Sequence, residues 1–127
     1  MYMSKNLPMI SVIMSVHNGE KYLVESIESI LNQSYENFEF LIMDDASDDN
    51  SSDIIKDFAR IDGRIITFKS NINIGLTKSL NILIKNSRSE LLARMDGDDI
   101  SIRNRLEIQY DFMKKTNILI LLEQEPI

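Results

Sequence analysis

The chain has no cysteine and no tryptophan, and only two prolines, four glycines and one histidine among its 127 residues. Without cysteine there is no disulfide framework and no thiolate metal site, and nothing in the redox chemistry argues for export. Long apolar runs are missing too. The longest, Ile118 to Leu122, is five residues, far short of the ~20 that a membrane-spanning helix needs. Met1 to Asn6 lack the apolar centre of a signal peptide, so the expected location is the cytoplasm, with a peripheral place at the inner face of the membrane left open. Basic charge is in deficit, at 14 Lys and Arg against 20 Asp and Glu, for a net −6. That balance opposes unspecific attraction to nucleic acid or to an anionic membrane surface. An anionic ligand would need a local remedy, such as a metal ion or a helix N-terminus.

What remains is ordinary for one soluble domain, with 43% hydrophobic and 27% charged residues. Internal repeats and flexible linkers are not apparent. Residues 1–7 read as a flexible N-terminal arm, 8–122 as one folded unit and 123–127 as a tail. Met9 to Val16 form a nearly continuous β-rich run, the pattern of a strand buried on both faces. After His17-Asn18-Gly19, a helix is expected from Glu20 to about Asn32 on the spacing of Leu23, Ile27, Ile30 and Leu31. A second strand, Phe38 to Met43, ends in Asp44-Asp45. The polar cluster Ser47 to Asp53 then leads into a helix capped by Asn50 or Ser51, with Ile54, Ile55, Phe58 and Ile61 beneath it.

Arg64 to Lys69 reads as a third strand, and the loop through Asn73 and Gly75 as the approach to a third helix carrying Leu76, Leu80, Leu83 and Ile84. A strand at Leu91, a helix from about Ile102 to Lys115 with Leu106, Tyr110 and Met113 inward, and a fifth strand at Ile118 to Leu122 complete the series. Strict alternation of strand and helix predicts an α/β fold, a mostly parallel sheet with helices on both faces. Three strands should then end in polar clusters at one edge: Ser15 to Glu20, Asp44 to Asp48, and Asp96 to Asp99.

The last of these clusters draws the most attention. The apolar run from Leu91 stops at three carboxylates within four positions, Asp96, Asp98 and Asp99. Alternate side chains of an extended chain share a face, so Asp96 and Asp98 should point together, and paired hard oxygen donors suit Mg²⁺ or Mn²⁺. Asp-Gly is equally a turn dipeptide, and an Asp at a strand end equally a cap, so a purely structural reading stands beside the metal one. A calcium loop fails, since Ile100 stands where an oxygen ligand belongs and Ser101 where glycine is needed. The G-x-G-x-x-G and G-x-x-x-x-G-K signatures are both absent.

Four motifs in order carry a resemblance. Ser11 to Leu23 (SVIMSVHNGEKYL), Phe40 to Asp48 (FLIMDDASD), Asn73 to Leu76 (NIGL) and Ala93 to Asp99 (ARMDGDD) resemble the successive motifs of glycosyltransferase family 2. Arg103 to Met113 is similar to the helix that follows them. The resemblance spans Pro8 to about Ile118. It implies a GT-A fold and metal-dependent, inverting transfer of a sugar from a UDP-sugar to a saccharide or lipid-linked saccharide acceptor, as in surface polysaccharide synthesis.

Carried over by residue, Asp45 accepts from uracil N3, Asp44 shapes the strand end, Asp96 meets the ribose and Asp98 holds Mn²⁺ or Mg²⁺. Ser15, His17, Glu20, Asn73 and Arg94 fall around the nucleotide sugar. For His17 the other reading is a hydrogen-bonded loop residue, for Gly75 a plain helix approach, for Lys78 a solvent-facing side chain, and for Arg94 an ion pair with Asp44 or Asp96. A catalytic base is not identified, because in this family it lies past the acid motif in the acceptor half. The chain thus reads as the nucleotide-binding half, truncated before the acceptor-binding half. Two alternatives stand beside the enzyme: a module that holds UDP and metal without turnover, and an unrelated α/β fold whose acids are caps. The truncated sheet edge at Ile118 to Leu122 would favour a homo-oligomer.

Overall fold

A computed structural model of the chain describes residues 7–116 and 121–123. Among the described residues nine elements alternate strictly: β1 (Ile10–Val16), α1 (Glu20–Leu31), β2 (Phe38–Asp45), α2 (Ser51–Ile61), β3 (Ile65–Ser70), α3 (Leu76–Asn86), β4 (Leu91–Asp96), α4 (Arg105–Thr116) and β5 (Leu121–Glu123). The described strands form one sheet in the order β3-β2-β1-β4-β5, with every pairing parallel. This is the expected α/β architecture. The expected fifth strand is present at Leu121–Glu123; its first part, residues 118–120, lies outside the described residues, as does most of the sheet edge expected to drive self-association.

The two faces are covered unequally. Val12, Met14 and Val16 of β1 and Phe38, Phe40 and Ile42 of β2 pack beneath Leu23, Ile27 and Ile30 of α1, Ile55 of α2, and Leu106 and Met113 of α4. On the other face, Ile13, Leu41 and Met43 meet Leu83 of α3, with Leu80, Ile66 and Phe68 at the margin. The period-2 alternation of a strand assigns each side chain to one layer or the other. Burial on both faces explains why β1 and β2 read as unbroken apolar runs.

Some boundaries and burials depart from expectation. β2 continues through Asp44 and Asp45, and both are buried at 3% exposure. Ile61, expected under α2, is 79% exposed: it is the last residue of the helix, where the chain turns back at Asp62. Leu76 and Ile84 of α3 are likewise exposed, because the helix turns Ser79, Leu80 and Leu83 to the sheet. α4 begins at Arg105 rather than Ile102. Its Tyr110 stacks on Tyr35 with centroids 4.9 Å apart. Burial and the neighbouring Tyr110 push the Tyr35 phenol up to about 12.

At the N-terminal edge of the sheet a buried carboxylate interrupts the apolar layer. Glu39, 1% exposed, accepts from Ser11 Oγ at 2.6 Å, from the Arg88 amide at 2.7 Å and from Arg88 Nε at 2.9 Å. The loop before β4 is thereby tied to β1 and β2. Removing the acceptor leaves the buried Ser11 hydroxyl and the Arg88 amide without it, so Glu39→Ala is expected to lower stability by roughly 1–3 kcal/mol. Urea denaturation checks this, and a midpoint within error of the wild type would contradict it.

Candidate nucleotide and metal site

Parallel pairing brings three strand ends level. Val16 lies opposite Asp44, and Ser15 lies opposite both Met43 and Asp96. The strand order also places a topological switch between β1 and β4, the point where crossovers leave in opposite directions and open α/β sheets take ligands. Alternation then divides the acids. Asp45, Ser15 and Asp96 fall on the face of α3, whereas Asp44 falls on the face of α1 and α2.

Asp45 is held tightly. One oxygen accepts from the Ile74 amide at 2.8 Å and the other from the Gly75 amide at 2.9 Å, the latter at the start of α3. Asn73 Oδ1 lies 3.1 Å from the same Gly75 nitrogen. Gly75 has φ +89, a backbone state that an L side chain rarely adopts. Each Asp45 oxygen retains a second lone pair for a ligand donor. Asp44 Oδ1 accepts from the Ser47 amide at 3.1 Å.

The loops after β1 and β2 are laced to each other. The Asn18, Gly19 and Glu20 amides donate to Ser47 Oγ, Ser51 Oγ and Asp49 Oδ2 at 2.9, 2.9 and 3.1 Å. In return Asn18 Oδ1 accepts from the Asp48 amide at 2.7 Å, and Glu20 Oε1 from the Asn50 amide at 3.2 Å. The amides of Asn18, Gly19 and Glu20 therefore have partners within the protein, and Glu20 braces the loop. Ser51, one of the two expected caps of α2, bonds across to Gly19; Asn50 is the N-cap but makes no side-chain cap bond.

His17 is exposed at the end of β1. Its Nδ1 lies 2.6 Å from the Asp45 carbonyl oxygen, and its Nε2 lies 3.3 Å from Asn18 Nδ2. A carbonyl can only accept, so neutral His17 carries its proton on Nδ1 and accepts at Nε2. The ring is thus held by two loop contacts.

The Asp96 region is built differently from the alternation argument. The extended chain ends at Asp96, and Gly97-Asp98 make a turn closed by the Asp99 amide donating to the Asp96 carbonyl at 3.1 Å. Asp99 Oδ2 accepts from the Asp96 amide at 3.3 Å. This turn, and not a shared strand face, brings carboxylate oxygens of Asp96, Asp98 and Asp99 within 4.8 Å of one another. Clustered hard oxygen donors, two of them exposed, fit Mg²⁺ or Mn²⁺. Arg94 pairs with Asp96, one of the two partners its ion-pair reading allowed, with Nη2 at 3.3 Å from Oδ1. Lys78 is exposed on α3.

Residues that sequence reading missed hold this turn from beneath. Ser26, Ser29 and Gln33, along and just past α1, bond to the backbone between Gly97 and Leu106. Buried Arg105 donates to the Arg94 carbonyl and to Ser101 Oγ at 2.9 and 3.1 Å. The available signal was polar residues set among Leu23, Ile27 and Ile30 on the buried side of α1.

Comparison with known proteins agrees with this geometry. The profile described as Glycosyl transferase family 2 matches residues 11–123. The chain belongs to that family. It is 39% identical over 114 residues to the O-antigen biosynthesis glycosyltransferase WbnJ of Escherichia coli, covering 88% of this chain and 44% of that protein. It is 32% identical over 114 residues to glycosyltransferase GlyG of Streptococcus pneumoniae serotype 4, covering 90% and 38%. The chain thus spans less than half the length of these curated relatives.

Among solved structures, S. aureus TarS 1-349 in complex with UDP-GlcNAc superposes with TM-score 0.80 at 25% identity, over 86% of this chain and 32% of that one. The Pyrobaculum calidifontis mannosyltransferase PcManGT, in complex with GDP-Man and Mn²⁺, superposes with TM-score 0.77 at 20% identity, over 84% and 32%. The GT-A arrangement expected from the motifs is the one present. Among the described residues, no helix is long and apolar enough to cross a membrane.

Ala46, between Asp45 and Ser47, has φ +57, which costs a non-glycine residue about 1–2 kcal/mol. Part of that gain is offset by the greater freedom of unfolded glycine, so Ala46→Gly should stabilise the chain by about 0.5–1 kcal/mol in urea denaturation; a lower midpoint would contradict it. Desolvation works to raise Asp49, yet hydrogen bonds from the Ser51 hydroxyl and amide and the Glu20 amide outweigh it, holding this carboxyl below its ordinary 3.8. Hydrogen bonding to Arg64, against desolvation, does the same for Asp62. A depressed folded-state value gives stability that is present above the unfolded value and lost as pH falls through the folded one. Unfolding free energy should therefore decline below about pH 4, with a shallower decline in Asp62→Asn; identical acid limbs would contradict this.

Proposed function

We propose that this chain is the donor-binding part of a metal-dependent, inverting glycosyltransferase that uses a UDP-sugar and builds a surface polysaccharide. The observation that carries the reading is the placement of Asp45 and Asp96 on one sheet face at the switch between β1 and β4, with the Asp96, Asp98 and Asp99 oxygens gathered beside them. Asp45 lies two strands across from Asp96 and two residues further along, about 12 Å at ordinary strand spacing and rise, a span that a nucleoside bridges with a hydrogen bond at each end. In this reading Asp45 accepts from uracil N3 and Asp96 from the ribose hydroxyls. His17, its ring fixed by Asp45 and Asn18, lies against the base, and Ser15, Asn73 and Arg94 border the pocket.

Asp98, with Asp96 and Asp99 beside it, holds Mn²⁺ or Mg²⁺. Such a cation would neutralise charge on the diphosphate as it departs. It also supplies the local remedy required by a chain of net charge −6. The acceptor is a saccharide or lipid-linked saccharide, and the base that takes its proton is placed outside the described residues. Support comes from the O-antigen role of the WbnJ relative and from the UDP-GlcNAc complex of TarS. We place the protein in the cytoplasm or at the inner membrane face, where nucleotide sugars are supplied.

Calorimetric titration of UDP with and without Mn²⁺, on wild type and on Asp98→Ala, tests the reading. Mn²⁺ should tighten UDP binding at least tenfold, and Asp98→Ala should remove most of that gain. Equal affinity with and without Mn²⁺ would contradict the metal role. No binding of UDP by the folded chain under either condition would contradict the donor site.

A further inference from the structure

The segment that carries the three acids has little apolar anchorage of its own, since Ile100 and Ile102 are exposed at 54% and 58%. Polar side chains on and just after α1 hold it instead. Ser26 Oγ, on a fully buried residue, lies 2.8 Å from the Gly97 carbonyl oxygen and 2.5 Å from that of Asp99. Ser29 Oγ accepts from the Ser101 amide at 3.0 Å while donating to the Ser26 carbonyl at 2.7 Å. Gln33 Nε2 donates to the Ile102 carbonyl at 2.6 Å, and its Oε1 accepts from the Leu106 amide at 2.9 Å. Of these three, Ser26 bonds inside the acid stretch itself, its one hydroxyl proton shared between the carbonyls on either side of Asp98.

Three carboxylates within 4.8 Å repel one another when no cation is bound, so the turn that gathers them needs an external hold. We propose that Ser26 is a positioning residue of the cation site: by fixing the Gly97 and Asp99 peptides, its hydroxyl sets the mutual geometry of the Asp96, Asp98 and Asp99 carboxylates. The inference rests on the metal reading above and adds to it the residue that prepares the ligands. Loss of a side chain that orients metal ligands typically weakens metal affinity by about 10–100-fold.

The test has two arms on the full chain, each made on wild type, Ser26→Ala and Ser29→Ala. The first counts free Mn²⁺ by electron paramagnetic resonance at saturating UDP. Ser26→Ala should weaken Mn²⁺ uptake at least tenfold, whereas Ser29→Ala, whose bonds lie outside the acid stretch, should stay within about threefold of wild type. The second arm needs no metal: amide exchange at Asp99 should accelerate severalfold in Ser26→Ala, with the Arg88 amide at the far edge of the sheet unchanged. Equal losses of Mn²⁺ affinity in the two variants would reduce Ser26 to a general stabilising contact and overturn the proposal. So would wild-type Mn²⁺ affinity and wild-type Asp99 exchange in Ser26→Ala. A wild-type chain that takes up no Mn²⁺ overturns the metal reading and this inference with it.

Discussion

The parallel ladders on both sides of β1 fix almost everything else in this molecule. Because β1 pairs with β2 on one side and β4 on the other, Val16, Asp44 and Asp96 end within one residue of the same level. A one-residue slip in either ladder would carry an acid to the opposite face. Such a slip would cost dearly, since it would also turn Ile42 or Met95 out of the layer beneath α1 and α4. The apolar core thus enforces the register, and the register places the polar site.

Above that level the site is held by hydrogen bonds rather than by apolar packing. Side chains of one loop satisfy the backbone of the next: Ser47, Asp49 and Ser51 serve the start of α1, and Asp45 serves the start of α3. The amides of Asn18, Gly19 and Glu20 consequently have partners already, which distinguishes this loop from phosphate-binding loops whose amides await a ligand. In the proposed reading, anion binding falls instead to the acid turn and a cation. The positive φ of Ala46 and Asn18 sits in the same loops, where the surrounding bonds determine the backbone. α1 links the two ends of the site, gripping the loop after β2 at its N-terminus and the acid turn through Ser26.

Much of this was legible in the residues. The fold followed from strict alternation of β-rich runs and helical spacing, and the site edge followed from polar clusters that close three of those runs. The family motifs singled out Asp45, Asp96 and Asp98 as candidates. What could not be read was tertiary. The gathering of Asp98 and Asp99 beside Asp96 depends on a turn, where strand alternation pointed to a shared face. Glu39 sits in an apolar run and shows its purpose only when Ser11 and Arg88 arrive from 28 and 49 residues away. Ser26 and Gln33 look like unremarkable helix residues until residues some 70 positions later come to lie against them. Ile61 matched a helical stripe, yet periodicity does not say where a helix ends.

The central claim is that donor and cation bind at the joined ends of β1, β2 and β4. Paramagnetic broadening of backbone amide signals by substoichiometric Mn²⁺, recorded by NMR with UDP present, tests it most directly. The account predicts that signals of Asp96 to Asp99 vanish first, that the Ile74 and Gly75 amides bonded to Asp45 shift when UDP is added, and that Glu39 and Arg88 at the other edge stay sharp. Broadening centred on the second acidic cluster, Asp48 to Asp53, or spread evenly over the surface, would contradict it.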